Sequence, residues 1–202
     1  MNNVAKLRRF VCAFARMIEE AGQDETVVFS EGRDLLRGLV SEDDWLPNEF
    51  AVPDPDIYQQ FLLFCDPLER FSLVSFVWGP GQTTPIHDHT VWGMVGVMRG
   101  AEICEEFETD PATGLLRSTG THQLACGSVD LVSPSVGDIH KVSNALQDQT
   151  SVSIHVYGAN IGAVKRHVYD PDTGARKTFV SGYSSDVMPN IWDRSREATI
   201  TA

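Results

Sequence analysis

Residues 71–100 read FSLVSFVWGPGQTTPIHDHTVWGMVGVMRG, and the texture of this stretch decides the fold. Two runs rich in β-branched and aromatic residues, 71–79 and 91–98, flank a segment of glycine, proline and threonine that ends in two histidines one residue apart. The same texture continues downstream in EICEEFE, SVDLV, TSVSIHVYG, AVKRHVYD and RKTFVSG. Between these runs stand DPATG (110–114), CG, SPSVGD and DPDTG (170–174), all turn formers. Short strands at such intervals, with no helical pattern between them, indicate an antiparallel barrel or sandwich, and the expectation is an all-β core built as one jelly-roll-like antiparallel β-barrel. DPATG and DPDTG are the expected hairpin loops.

Upstream the pattern differs. Leu7, Phe10, Val11, Phe14, Met17 and Ile18 recur at helical spacing and are interrupted by Arg8, Arg9 and Arg16. This predicts an amphipathic helix over 4–21 docked on the core, rather than the uninterrupted apolar run of a secretory signal. A second helix is expected over 30–40, with Leu35, Leu36, Leu39 and Val40 as its stripe, and SEDD (41–44) has the pattern of a further helix start. PNEFAVPDPD (47–56) is a proline-broken connector, and residues 57–64 are ambiguous between helix and strand. The expectation is one domain over 1–202, with 1–62 a mainly helical and loop cover and 63–202 the barrel and a C-terminal tail.

A formal charge of −12, spread along the 202 residues, disfavours nucleic acid as a partner. No apolar run approaches the roughly 20 residues of a membrane helix. Cys12, Cys65, Cys104 and Cys126 show no C-x-x-C pairing, which fits reduced thiols in the cytoplasm. A monomer acting on a small molecule is the default.

Side chains two apart on a strand share a face, so His87 and His89 can point inward together while Asp88 points out. A pair of imidazoles leaves a metal's coordination incomplete, and His140, at a strand entrance in SPSVGDIHKVSN, is the third candidate. Three neutral imidazoles suit iron, zinc, nickel or copper and leave positions open for other ligands. The same parity puts Ser153, His155 and Tyr157 on one face of a strand, with Val152, Ile154 and Val156 opposite.

Residues 80–144 resemble a cupin. The first cupin motif, G-x5-H-x-H-x3/4-E-x6-G, is matched by Gly81, His87, His89 and Gly100, with Gly93 where the glutamate would stand. The second, G-x5-P-x-G-x2-H-x3-N, is matched by Gly127, Pro134, Gly137, His140 and Asn144, with one additional residue on each side of the proline. Loss of the glutamate leaves a three-histidine site, and over roughly residues 50–183 the chain is similar to the cysteine dioxygenase family. Trp78-Gly79-Pro80-Gly81 followed by His87-Asp88-His89-Thr90 carries that likeness, as does the S-x-H-x-Y set Ser153, His155 and Tyr157.

The resemblance implies Fe(II) held by His87, His89 and His140 through Nε2, with O2 as co-substrate. Tyr157 would be the catalytic phenol, oriented by His155 and Ser153. Two departures stand out. Tyr58-Gln59-Gln60 has Gln60 where the animal-type enzymes carry a carboxylate-binding arginine, and Trp92-Gly93-Met94 lacks the cysteine that those enzymes cross-link to the tyrosine. Bacterial relatives that prefer 3-mercaptopropionate share both features and have an arginine at the position of Arg166. The expected activity is therefore an iron-dependent thiol dioxygenase that forms a sulfinic acid from a small carboxylated thiol held by Arg166, Gln60 and Tyr58. 3-Mercaptopropionate is favoured and L-cysteine is the alternative. A zinc or nickel isomerase or lyase on the same three histidines is the remaining competitor.

Overall fold

The computed structural model describes residues 4–22 and 24–194. Its first layer follows from the apolar stripe near the N-terminus: α1 (Val4–Ala21) buries Leu7, Phe10, Val11, Phe14, Met17 and Ile18. The helix stops at Gly22, whose φ of +61° lets its N–H reach the Ile18 carbonyl at 3.0 Å. Asp24 accepts from Thr26 N at 2.9 Å and starts α2 (Glu25–Val27), which passes through a π-turn at Val28–Gly32 into α3 (Arg33–Val40). The second helical stretch thus begins at Glu25, ahead of the expected residue 30. The helix start expected at 41–44 does not form. Ser41 Oγ instead donates back to the Gly38 carbonyl at 2.8 Å, at the end of α3, while Asp43 and Asp44 pair with Arg99 and Lys6.

The strands are β1 (Gln59–Cys65), β2 (Ser72–Trp78), β3 (Ile86–His87), β4 (Gly93–Arg99), β5 (Ala101–Thr109), β6 (Leu116–Ala125), β7 (Val129–Val132), β8 (Ile139–Asn144), β9 (Ser151–Tyr157), β10 (Arg166–Tyr169) and β11 (Arg176–Phe179). The ambiguous segment 57–64 resolves as β1, whose length is set by antiparallel pairing with β2. The hairpin loops fall where expected: 110–114 joins β5 to β6 and 170–174 joins β10 to β11. In each loop the leading aspartate accepts from backbone N–H groups two and three residues on.

The expected closed barrel is not what forms. The strands make two open antiparallel sheets, one in the order β1-β2-β9-β4-β7 and the other β11-β10-β3-β8-β5-β6. Among the described residues no ladder joins one sheet to the other, because end strands have other partners. On β1, Gln60 N donates to Ser184 Oγ at 2.9 Å and the Gln60 carbonyl accepts from Ser184 N at 2.8 Å. On β7, the Val129 carbonyl accepts from Arg33 of α3 at 3.2 Å. Edge groups met by the C-terminal segment and the helical layer are not left to pair across the gap.

The five-stranded sheet is the middle layer. Every residue of β2 and β9 is buried, because the two faces serve two cores. Leu73, Val77, Met94, Val152, Ile154 and Val156 pack under the helices, while Val74, Phe76, Val95, Val97 and Tyr157 meet Cys104, Leu124 and Val142 of the facing sheet. Each fully buried Phe, Leu, Ile or Val side chain contributes roughly 1.5–3 kcal/mol, so the helical layer is an integral part of the fold. Gly96 permits a close approach of helix to sheet; a Cβ there would lie 3.0 Å from Leu36 Cγ and Val40 Cγ1. Among the described residues no helix is long and apolar enough to cross a membrane.

Candidate metal centre

Strand pairing assembles the histidines. β3 lies between β10 and β8, and His87 is the register partner of His140. His89 follows in the turn after β3, where Thr90 has a φ of +60°. Asp138 holds that turn, accepting from His89 N at 3.0 Å and from Thr90 N at 2.9 Å. The three rings meet edge to face with centroids 4.8–4.9 Å apart, and one nitrogen from each lies within 4.8 Å of the others. All three are buried.

The other ring nitrogens identify the ligand atoms. His87 Nδ1 faces the Pro85 carbonyl at 3.1 Å, His89 Nδ1 the Asp138 carboxylate at 3.0 Å, and His140 Nδ1 the thiol of Cys104 at 3.5 Å. With Nδ1 engaged on every ring, Nε2 is left for a metal, and a carbonyl or carboxylate partner fixes that tautomer. Burial, then the neighbouring His89, push His87 down to about 3. Burial followed by His89 and His87 does the same to His140. His87 and His140 are thus neutral near pH 7 with their lone pairs available, and among the described residues no carboxylate joins the set, so the donors fit ferrous iron with open positions. Burial works to raise the Asp138 carboxyl, but the hydrogen bonds from the His89 ring and from the Thr90 and His89 backbone outweigh it and hold the group below the usual range.

Beside the triad, β9 presents its alternate residues as a relay. Ser153 Oγ and His155 Nε2 are 2.8 Å apart, and His155 Nδ1 and the Tyr157 hydroxyl are 2.8 Å apart. Trp78 Nε1, which can only donate, reaches Ser153 Oγ at 3.3 Å. Burial, then the nearby His89 and His87, push His155 well below its ordinary value, and burial pushes the Tyr157 phenol up. The relay therefore contains a neutral imidazole and a protonated phenol. Tyr157 also stacks on the His89 ring, centroids 5.5 Å apart, which ties the relay to the triad. Gly93 is the register partner of Tyr157, so the ring edge rests on a residue with no side chain.

One cavity of about 240 Å³ joins these parts, lined by His87, His140, His155, Tyr157, Trp78 and Phe76, and also by Tyr58, Gln60 and Arg166. Arg166 is 3% exposed. One guanidinium nitrogen donates to Ser181 Oγ at 2.6 Å, the group lies 4.8 Å over the Phe179 ring, and Nε has no hydrogen-bond partner. Among the described residues no carboxylate pairs with it. The Gln60 side-chain amide donates to the Gly182 carbonyl, so part of its donor capacity serves the C-terminal segment. Tyr58 stacks on Trp78 at 4.9 Å and is a wall.

All nine candidate residues from the sequence gather here, and several partners were missed. Asp88 does leave the face of the histidines, but it is buried, accepting from His167 N, His167 Nδ1 and Tyr169 Oη at 2.8 Å each. Asp138 was read only as part of a turn. Ser181 and Phe179 reach Arg166 from β11 and the segment after it, and nothing local in the sequence signals that return. Trp92 belongs to the helical core, its ring 6.3 Å from Phe14. Asn144 clasps three loop carbonyls, those of Trp78, Gly79 and Gln149, at 2.8–3.1 Å.

Two facing β-sheets around a buried site of three imidazoles define a cupin-like mononuclear metalloprotein. Over residues 4–171 the chain matches cysteine dioxygenase type I, and it belongs to that family. The buried triad is thus the active site of a non-heme Fe(II) thiol dioxygenase. Solved structures give more distant likenesses. A conserved protein with a double-stranded β-helix domain from Klebsiella pneumoniae is 16% identical, with 61% of this chain and 93% of that chain covered and a TM-score of 0.44. A cupin superfamily protein from Desulfitobacterium hafniense is 11% identical, with 59% and 94% covered and a TM-score of 0.43. A cupin-like protein from Thermotoga maritima is 18% identical, with 66% and 85% covered and a TM-score of 0.42.

Proposed function

We propose that the enzyme converts a small carboxylated thiol and O2 into the sulfinic acid, with both oxygen atoms ending on sulfur. The observation that carries this is Arg166, a buried guanidinium without a carboxylate partner among the described residues, which opens into the same cavity as the triad. An unpaired buried charge costs several kcal/mol, and a ligand carboxylate would remove that cost with short charge-assisted hydrogen bonds. Iron, when bound by His87, His89 and His140, supplies a redox-active centre with open positions for thiolate and O2.

The chain's own groups do the rest. Arg166 holds the carboxylate and so fixes how deep the thiol reaches. Ser153 donates to His155 Nε2 while accepting from Trp78, and His155 Nδ1–H donates to the Tyr157 oxygen. In that order the phenolic proton of Tyr157 points into the cavity, toward the reacting groups. The apolar wall of Phe76, Trp78 and Val168 limits water beside them.

The family match supports L-cysteine as the substrate. A second reading, 3-mercaptopropionate, is favoured by the absence, among the described residues, of any aspartate or glutamate from the cavity lining, which leaves no side-chain carboxylate there for an ammonium group. Gln60, and Gly93 in place of a thiol beside Tyr157, support that second reading. The four free cysteines support a reducing, cytoplasmic setting.

Sulfinate formation by the iron-loaded enzyme from L-cysteine, 3-mercaptopropionate and cysteamine, run side by side, tests the proposal and ranks the substrates. Arg166→Ala should raise KM for both carboxylated thiols and leave cysteamine unchanged. Equal loss on all three would give Arg166 a structural role, and no sulfinate from any thiol would overturn the activity.

A further inference from the structure

His140 stands in a wall between two cavities. One is the cavity just described. The other, of about 270 Å³, is lined by Cys104, Asp130, Glu106, Glu108 and Thr119 and, among the described residues, has no lysine or arginine in its wall. Glu108 is paired with Arg117 at 3.0 Å; the remaining anionic groups face the space or its rim.

Cys104 and His122 are register partners on β5 and β6, so their side chains leave the sheet on one face. Asp130 comes from the opposite sheet. On β7, Val129 and Leu131 pack under the helices, which turns Asp130 inward by the period-2 rule. The three offer a sulfur, an imidazole nitrogen and a carboxylate oxygen, all within 4.8 Å of one another. His122 Nε2 already lies 3.1 Å from Asp130 Oδ2. Cys104 is 2% exposed, whereas the His122 and Asp130 side chains are 38% and 23% exposed, leaving a path from solvent.

We infer that Cys104, His122 and Asp130 form a second metal site, taking zinc or another borderline-soft divalent cation at the seam where the two sheets are open. One sulfur, one nitrogen and one oxygen donor, with a fourth position for water, is a zinc-type set, whereas calcium and magnesium require oxygen donors. Binding releases one proton: the dication displaces the thiol hydrogen of Cys104, and the thiolate and the Asp130 carboxylate together balance its charge. The bound thiolate keeps accepting the Nδ1–H of His140, 3.5 Å away. β6 and β7 are both end strands, so the ion would join the sheets where no ladder does.

The experiment is an anaerobic titration of the iron-loaded protein with Cd²⁺, followed by thiolate-to-metal charge-transfer absorbance and by iron content. The iron triad has no thiolate, so only a cysteine-containing site produces this band. One equivalent should saturate the band with iron retained, and Zn²⁺ should compete for the site. Cys104→Ser should abolish the band, and His122→Ala and Asp130→Asn should each weaken binding roughly tenfold or more. Zn²⁺ should also raise the melting temperature of the wild type and leave that of His122→Ala unmoved. His122 is partly exposed, so its variant carries the test even if Cys104→Ser does not fold. Absence of the band in the wild type, its persistence in Cys104→Ser, or wild-type affinity in both His122→Ala and Asp130→Asn would overturn the site.

Discussion

Gly93→Ala asks whether Tyr157 is held in place by shape. A Cβ on Gly93 would stand 2.7 Å from Tyr157 Cδ1, 2.9 Å from Tyr157 Cε1 and 2.9 Å from Val132 Cγ2. Carbon atoms in ordinary contact sit about 3.5–4.0 Å apart, so one methyl group overlaps the ring by nearly 1 Å. The ring has little room to yield: it is 2% exposed, stacked on His89 and bonded to His155 at 2.8 Å. Either β4 separates from β9 or the phenol swings away from its partner. Overpacking of this kind costs about 1–3 kcal/mol, and the lower chain entropy of alanine in the unfolded state offsets about 0.4–1 kcal/mol of it. Net destabilisation of about 1–2 kcal/mol is expected, with kcat falling about 10–100-fold as the hydroxyl leaves its position. Urea denaturation and initial rates of sulfinate formation measure the two effects. A variant with the wild-type midpoint and wild-type kcat would refute the idea that the bare strand at Gly93 sets the position of Tyr157.

Further outcomes follow from the groups behind the site. Glu102 is fully buried, and burial pushes it up to about 7 from its ordinary value of 4.5, which corresponds to about 3 kcal/mol. The folded state then binds a proton the unfolded state has lost, so stability should fall as pH rises from about 4.5 to 7. Glu102→Gln should remove this slope, gaining up to about 3 kcal/mol on the wild type between pH 5 and pH 8 in guanidinium unfolding; parallel curves for the two proteins would contradict it. Asp138→Asn, which weakens the acceptor at His89 Nδ1, should lower iron affinity about 10–100-fold in competition with a chelator, and unchanged affinity would reduce Asp138 to a turn residue. Ser153→Ala should lower kcat by about tenfold with KM nearly unchanged, whereas a loss confined to KM would move the relay to substrate binding. His140→Ala should lose bound iron and turnover together, and near wild-type turnover would remove His140 from the ligands.

What the sequence made legible was set by short-range rules. Period-2 alternation alone aligned Ser153, His155 and Tyr157, and the structure has them on one face of β9 within hydrogen-bond reach. The helical stripe of α1 and both hairpin loops were equally local, each following from a few neighbouring side chains and the turn chemistry of aspartate and glycine. The reading at 41–44 failed for a reason just as local. A serine hydroxyl serves a preceding carbonyl as readily as a following N–H, and here it closes α3.

Openness of the sheets was illegible because the alternation of apolar and polar residues fixes which face a side chain takes, not which end strands meet. Closure depends on unpaired edge groups, and those of Gln60 and Val129 are satisfied by Ser184 and Arg33, far along the chain and in other layers. The same long return brings Ser181 and Phe179 to Arg166, so the segment after β11 both occupies a sheet edge and supports the one arginine that the described residues place in the cavity wall. Loosening that segment would therefore act on Arg166 before it reached the triad, because His87, His89 and His140 are held separately by Pro85, Asp138 and Cys104.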